Sequence, residues 1–192
     1  TPNPQPLLTA MRIISRVLLG LIALLLVGVA VAYLAVRGSL PVIDGERLVA
    51  GLEGETVVER DAVGAVTITG HSRDDVAYAT GFVHAQDRFF QMDLSRRMSG
   101  GRLAELVGDA AMDLDARQRI HRFHDVAERV YVQLAPAEKT LLDAYARGVN
   151  AGLESLRVRP FEYLLLRQRP ESWRAQDCLL VVYAMYLQLN DA

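Results

Sequence analysis

The hydrophobic pattern begins as an unbroken block. Residues 17–36 carry no charged side chain, with Arg12 and Arg16 before them and Arg37 after. A helix of that length spans about 30 Å, the thickness of a bilayer's hydrocarbon core. Basic residues dominate its N-terminal flank, which places the N-terminus in the cytoplasm and everything after Arg37 outside it. Ala30–Val31–Ala32 has the form of an A-x-A cleavage signal, but the apolar run continues past it. An uncleaved signal anchor over 12–37 is therefore preferred to a cleaved peptide, with a buried core helix as the bland alternative. Met11 is the first methionine and stands directly before Arg12, so 1–11 is read as leader or upstream read-through.

Beyond the block the pattern becomes periodic. Residues 38–54, with Pro41, Gly45 and Gly51, read as a linker. The β-branched runs at 56–61 and 65–69 flank a turn at 61–64 and predict a β-hairpin. Ser72 followed by Asp75 predicts a helix start. Val76, Ala79, Val83, Phe90 and Leu94 then recur at helical spacing, with Phe82, Phe89 and Met92 widening the apolar face. Asp115 and Gln118 predict the cap of a helix with Ile120, Phe123, Ala127 and Val130 inward. Pro136 opens another, with Leu142, Tyr145, Val149 and Leu153 inward. The stretch between Pro160 and Pro170 is too short to assign. A last helix from near Arg174 is expected to bury Leu179, Val182, Met185 and Leu189.

Composition narrows the class. The chain has 192 residues, 51% hydrophobic and 23% charged, which excludes a disordered chain. A formal charge of −2 without a basic cluster gives no nucleic-acid footprint. Cys178 is the single cysteine and sits in an apolar run, so it reads as a small hydrophobe and not as a nucleophile.

Candidate chemistry is sparse. His121 and His124, three apart, could share a metal only with a third ligand from elsewhere. His84 and Asp87 could form an oriented base, but no nucleophile accompanies them. A helix-surface network with Arg88, Asp93, Arg96 and Arg97 is the plainer reading. Asp113 and Asp115 lack the glycine and distal glutamate of a calcium loop, and helix capping explains both. No metal ligand set and no complete active site emerge.

The string GFVHAQDRFFQMD at 81–93, followed by Arg96–Arg97 and GRLAELVG at 101–108, resembles the N-terminal region of the penicillin acylase (penicillin amidase) family of N-terminal-nucleophile hydrolases. VERD at 58–61 with Gly64, YARGVNA at 145–151, PFEY at 160–163 and PESW at 170–173 followed by Asp177 continue the likeness in order, over 55–192. The resemblance implies a self-processing precursor of which this is the α-chain region. The expected fold is mainly helical with a short N-terminal hairpin, the α-chain part of an αββα fold preceded by one transmembrane or signal helix. It is incomplete without a β chain.

The implied activity is hydrolysis of N-acyl amides, such as β-lactam side-chain amides or acyl-homoserine lactones, in the periplasm or otherwise outside the cytoplasm. The nucleophilic serine is expected beyond Ala192, where it would start the β chain, so this chain holds no catalytic residue. Met185 matches a family methionine of the acyl pocket. Leu189 falls where an aromatic sits and Gln188 replaces a basic neighbour, which implies an aliphatic, less charged wall. Plain core packing is the alternative for Met185 and Leu189. The resemblance implies no cofactor in this chain. For the full enzyme the resemblance implies a calcium ion, its α-chain carboxylate falling just past Ala192. The competing readings are a membrane-anchored helical binding domain without chemistry and a family relative that has lost processing.

Overall fold

The computed structural model describes residues 5–190, with side chains from Ile13 onward. The chain divides into two units, one ending at Gly38 and the other beginning at Ser39. Helix α1, Gln5–Ser39, lies in the first, all but its last residue. It runs unbroken through Met11, so residues 5–11 are helical, and residues 1–4 of the expected leader lie outside the described residues. Its stretch Ile13–Ser39 is the one described helix long and apolar enough to cross a membrane. Its leucines and valines are exposed.

The second unit opens with an irregular segment and then the expected hairpin, β1 Val57–Arg60 and β2 Val66–Thr69. The strands pair antiparallel, Val57 opposite Thr69 and Arg60 opposite Val66. The Asp61 carboxylate closes the turn, accepting from the amides of Val63 (3.0 Å) and Ala65 (2.8 Å). Gly64, at φ +85°, supplies the left-handed residue that reverses the chain.

Helices make up the rest. They are α2 Arg73–Gly100, α3 Ala104–Val107, α4 Met112–Arg119, α5 Phe123–Gln133, α6 Pro136–Glu154, α7 Phe161–Leu165 and α8 Ala175–Asn190. Ser72 caps α2 as its sequence predicts, its Oγ accepting from the Asp75 amide at 3.1 Å. Asp75 turns its own carboxylate back to the amide of Glu53 (2.8 Å), fastening the end of the irregular segment. That amide holds the carboxyl below its ordinary pKa, against the opposing effect of burial.

Helix α2 is kinked at Arg88 (φ −141°, ψ 17°). The kink resets the period, so the inward set is Tyr78, Ala79, Val83, Ala85 and Phe89 before or at the bend, and Asp93, Arg96, Arg97 and Ser99 after it. The core forms where α2 crosses α6 and meets Tyr163 of α7 and Trp173. At the crossing the two backbones touch. A Cβ at Gly148 would lie 1.9 Å from the Tyr78 carbonyl oxygen, and one at Gly152 2.3 Å from that of Phe82. Ala144, Ala146, Gly148, Val149 and Gly152 are the buried residues of α6, while Leu142, Tyr145 and Leu153 pack at its margin.

Two expectations are corrected here. The helix assigned from Asp115 through Val130 is two helices, α4 and α5, separated at 120–122. Arg122 takes a left-handed backbone (φ 51°) there, and Ile120 is 78% exposed. Asp115 is buried inside α4 and does not start its own helix. It caps α3 instead, accepting from the amides of Leu103 and Ala104 at 2.8 Å each.

Candidate functional site

The feature that could meet a ligand is the outer face of α8. Its N-terminus is locked in place. Asp177 is buried and accepts from the amide of Arg174 (2.9 Å) and from Nη1 of Arg96 (2.5 Å). Farther along, Ser99 Oγ donates to the carbonyl of Leu180 at 2.8 Å. Leu180 and Ala184 then face inward, and the small Ala184 permits a close approach. This 177–180–184 stripe fixes the rotation of the helix.

The expected inward set is thereby turned outward. Leu179 is half-buried, and Val182, Met185 and Leu189 are exposed by 50%, 54% and 73%. Both sides of α8 are apolar, so periodicity could not choose between them; the buried Asp177 does. Gln188 is also exposed, beside Met185. Tyr183 is held at the edge by stacking on Phe123, ring centroids 4.9 Å apart. The result is a ridge of Val182, Met185, Tyr186 and Leu189 without a covering element among the described residues.

Behind α8 lies an open apolar cleft of about 510 Å³ between α2, α6 and α8, lined by Met92, Leu142, Trp173, Cys178 and Val181, with His84 and Tyr145 also on its wall. The Tyr145 hydroxyl and His84 Nδ1 are 2.9 Å apart. Desolvation lowers the His84 pKa against the pull of Asp87, and raises that of Tyr145. Asp87 pairs with Arg60 at 2.8 Å, in keeping with the plainer reading of a surface ion pair over an oriented His84–Asp87 base. Burial raises the Cys178 thiol to about 11, the behaviour of an inert core thiol.

Of the residues assigned to a helix-surface network, Arg88 is exposed as expected, but Asp93, Arg96 and Arg97 are buried at the heart of the interior. Arg96 Nε donates to Asp93 (2.7 Å), and its Nη groups reach Asp177 and the carbonyls of Ser172 (2.9 Å) and Glu171 (3.0 Å). Arg97 joins Asp93 (3.0 Å) to Glu105 (2.5 Å). Tyr163 donates to the other oxygen of Asp93 at 2.5 Å. Burial opposes the charge on Arg96, but Asp93 and Asp177 outweigh it and raise its pKa. Beside this network Asn150 clamps Trp173, donating to its carbonyl (2.9 Å) and accepting from its amide (2.8 Å). Sequence reasoning placed these residues in motifs without finding their burial. The signal available was the density of Arg and Asp inside an otherwise apolar pattern.

No nucleophile is assembled among the described residues. Ser95 and Ser155 donate to backbone carbonyls of their own helices, as Ser99 does to α8, and Ser72 is a cap. His121 stacks on Phe123, while His124 is half-buried against Gly100. No group of three His, Cys, Asp or Glu side chains suited to a metal occurs among the described residues.

A helical frame that presents an apolar ridge, built on these motifs, belongs to a known class. The family model described as penicillin amidase matches residues 55–192, and the chain is a member of that family. Among its relatives is the penicillin acylase 2 proenzyme of Pseudomonas sp. (strain SE83), 38% identical over 81% of this chain and 20% of that protein. The acyl-homoserine lactone acylase QuiP of Pseudomonas putida is 36% identical over 80% of this chain and 19% of that protein. The solved structure of a thermostable penicillin G acylase from Alcaligenes faecalis superposes with a TM-score of 0.64 and 30% identity, covering 72% of this chain and 75% of that one. The chain thus spans about a fifth of the length of these sequence relatives.

Proposed function

We propose that this chain is the α-chain region of an N-acyl amide hydrolase made as a self-processing precursor, and that the outer face of α8 forms part of its acyl-binding wall. The carrying observation is the exposed ridge of Val182, Met185, Tyr186 and Leu189 on a helix whose inner face is fixed by buried polar bonds. Apolar side chains so presented are covered in a finished protein. The covering element here is the β chain, with the acyl group of a substrate lodged between the two.

In this reading the serine that starts the β chain attacks the substrate carbonyl. Its own α-amino group takes the hydroxyl proton and delivers it to the departing amine, and water then releases the acid from the acyl-enzyme. The aliphatic Met185 and Leu189, with neutral Gln188 between them, suit linear or branched aliphatic acyl groups. That choice would fit acyl-homoserine lactones better than phenylacetyl amides. Helix α1 acts as a signal anchor that holds the enzyme on the outer side of the cytoplasmic membrane. The calcium ion implied by the family resemblance would take its α-chain carboxylate from beyond Ala192, and no step runs through it.

The test is to express the whole reading frame, take intact masses and sequence the N-termini of the products. Two chains, the second beginning with serine, together with hydrolysis of acyl-homoserine lactones of graded chain length, are expected. A single uncut chain without amidase activity refutes the proposal and leaves an anchored binding domain.

A further inference from the structure

Helix α7 and its flanks stand apart chemically. Residues 157–169 hold Arg157, Arg159, Arg167 and Arg169 against the lone acid Glu162, in a chain whose overall charge is −2. Arg157, Arg167 and Arg169 are exposed. None of the four arginines is in an ion pair among the described residues. This contrasts with Arg96, Arg97 and Arg102, which are saturated with carboxylates. Between the arginines, Phe161 and Leu165 lie one helical turn apart and are exposed by 43% and 77%.

The location of this element gives the pattern its meaning. Ser39, Leu40 and Pro41, the first residues of the second unit, line one cleft of about 380 Å³ together with Leu156, Pro160 and Phe161. Leu40 is itself 58% exposed. The apolar run of α1 ends at Val36, and Leu40 follows four residues on, at most about 14 Å away even at full extension. If α1 spans a bilayer, the edge formed by Leu40 and α7 is held by covalent connection within reach of its headgroups. Arginine binds phosphate in a bidentate fork, and exposed Phe and Leu enter the boundary between headgroups and acyl chains.

We infer that α7, with its flanking arginines and Leu40, docks on the surface of an anionic phospholipid bilayer beside the exit of α1, fixing how the enzyme sits on its membrane. This rests on the anchor reading above, and the experiment separates the two. The full-length protein is reconstituted into vesicles of phosphatidylcholine alone or mixed with phosphatidylglycerol. The photo-cross-linker p-benzoylphenylalanine replaces Leu165 or, as control, the exposed Val132 of α5. Illumination is followed by mass analysis of the labelled peptides, and a parallel sample is washed with alkaline carbonate to score the anchor.

The expected result is phospholipid adducts from position 165 and not from 132, favoured by the anionic lipid. R157Q/R169Q removes two of the arginine contacts and weakens docking by about 30-fold. Raising the wild type to about 1 M salt, where the screening length is about 3 Å, should remove the preference for anionic lipid without any substitution. Adducts from 165 to polypeptide, or none, in protein that resists carbonate overturn the inference while the anchor stands. If carbonate strips the protein, the anchor reading fails. The adducts formed before the wash then decide the docking alone, their presence supporting it and their absence overturning it.

Discussion

Replacing Gly148 by alanine should loosen the α2–α6 crossing. The added Cβ would fall 1.9 Å from the Tyr78 carbonyl oxygen and 2.7 Å from its carbon. A carbon and a carbonyl oxygen settle at about 3.3 Å, so the helices would part by about 1.4 Å. The obstacle is backbone, which cannot swing aside, and this puts the cost near the top of the overpacking range, about 3 kcal/mol. Alanine returns about 1 kcal/mol through its better helix propensity. The net loss is about 2 kcal/mol, or about 30-fold in local opening. Hydrogen exchange of peptides from 73–100 and 136–154, measured within the full protein, reads that opening directly. Gly152→Ala meets the Phe82 carbonyl oxygen at 2.3 Å and should act alike. The double variant should lose less than the sum, because one separation relieves both clashes. An unchanged or increased protection in Gly148→Ala would refute the backbone-contact argument and leave helix propensity as the larger effect.

Further expectations concern the buried charges and the ridge. Asp177→Asn leaves Arg96 short of a carboxylate in the interior and should destabilise by about 3 kcal/mol, seen as faster exchange in α8 and in 171–174. His124, half-buried and near Arg102 and Arg174, has its pKa lowered chiefly by desolvation. Folding thus favours its neutral form. The stability it contributes is complete above the ordinary value of 6.5 and is lost as pH falls from there through the depressed folded value. His84 adds to the same trend. Melting temperature should fall between pH 7 and 5, and His124→Gln should flatten that slope. Met185→Trp places bulk on an exposed ridge, so it should leave unfolding nearly unchanged but lower kcat/KM for the longest accepted acyl group at least about tenfold relative to the shortest.

Local signals carried most of the element assignments. Asp61 and Gly64 write the hairpin turn, Ser72 its neighbouring cap, and Pro136 the start of α6, because each acts on backbone groups within a few residues. The errors arise where a distant partner decides. Asp115 looks like a cap of its own helix and caps α3 across the chain. Arg96 and Arg97 look like surface residues until Asp93, Asp177 and Glu105 are brought beside them. Beyond the kink at Arg88 the predicted Phe90 and Leu94 still pack against the core, but the buried positions there are the polar Asp93, Arg96, Arg97 and Ser99, which no apolar period could reveal.

The rotation of α8 shows what the family motifs accomplish where the described residues assemble no nucleophile. Gly148 admits the Tyr78 backbone and so sets the distance between α2 and α6. Asn150, two residues on, faces the other way along α6 and grips both backbone groups of Trp173. Arg96, with its guanidinium 4.9 Å from the Trp173 ring, holds the carbonyls of Glu171 and Ser172 and the carboxylate of Asp177. The start of α8 is thereby specified from three directions before its apolar residues are considered. Two apolar stripes compete for the inside of that helix, and hydrophobicity alone gives the larger one, with Val182, Met185 and Leu189, the advantage. The polar frame reverses the outcome, burying Leu180 and the small Ala184 and holding the bulky stripe outward. Burying arginine and aspartate costs desolvation energy that a hydrophobic core would avoid. What this chain gains in return is an apolar surface with a fixed orientation, as the binding wall proposed above would require.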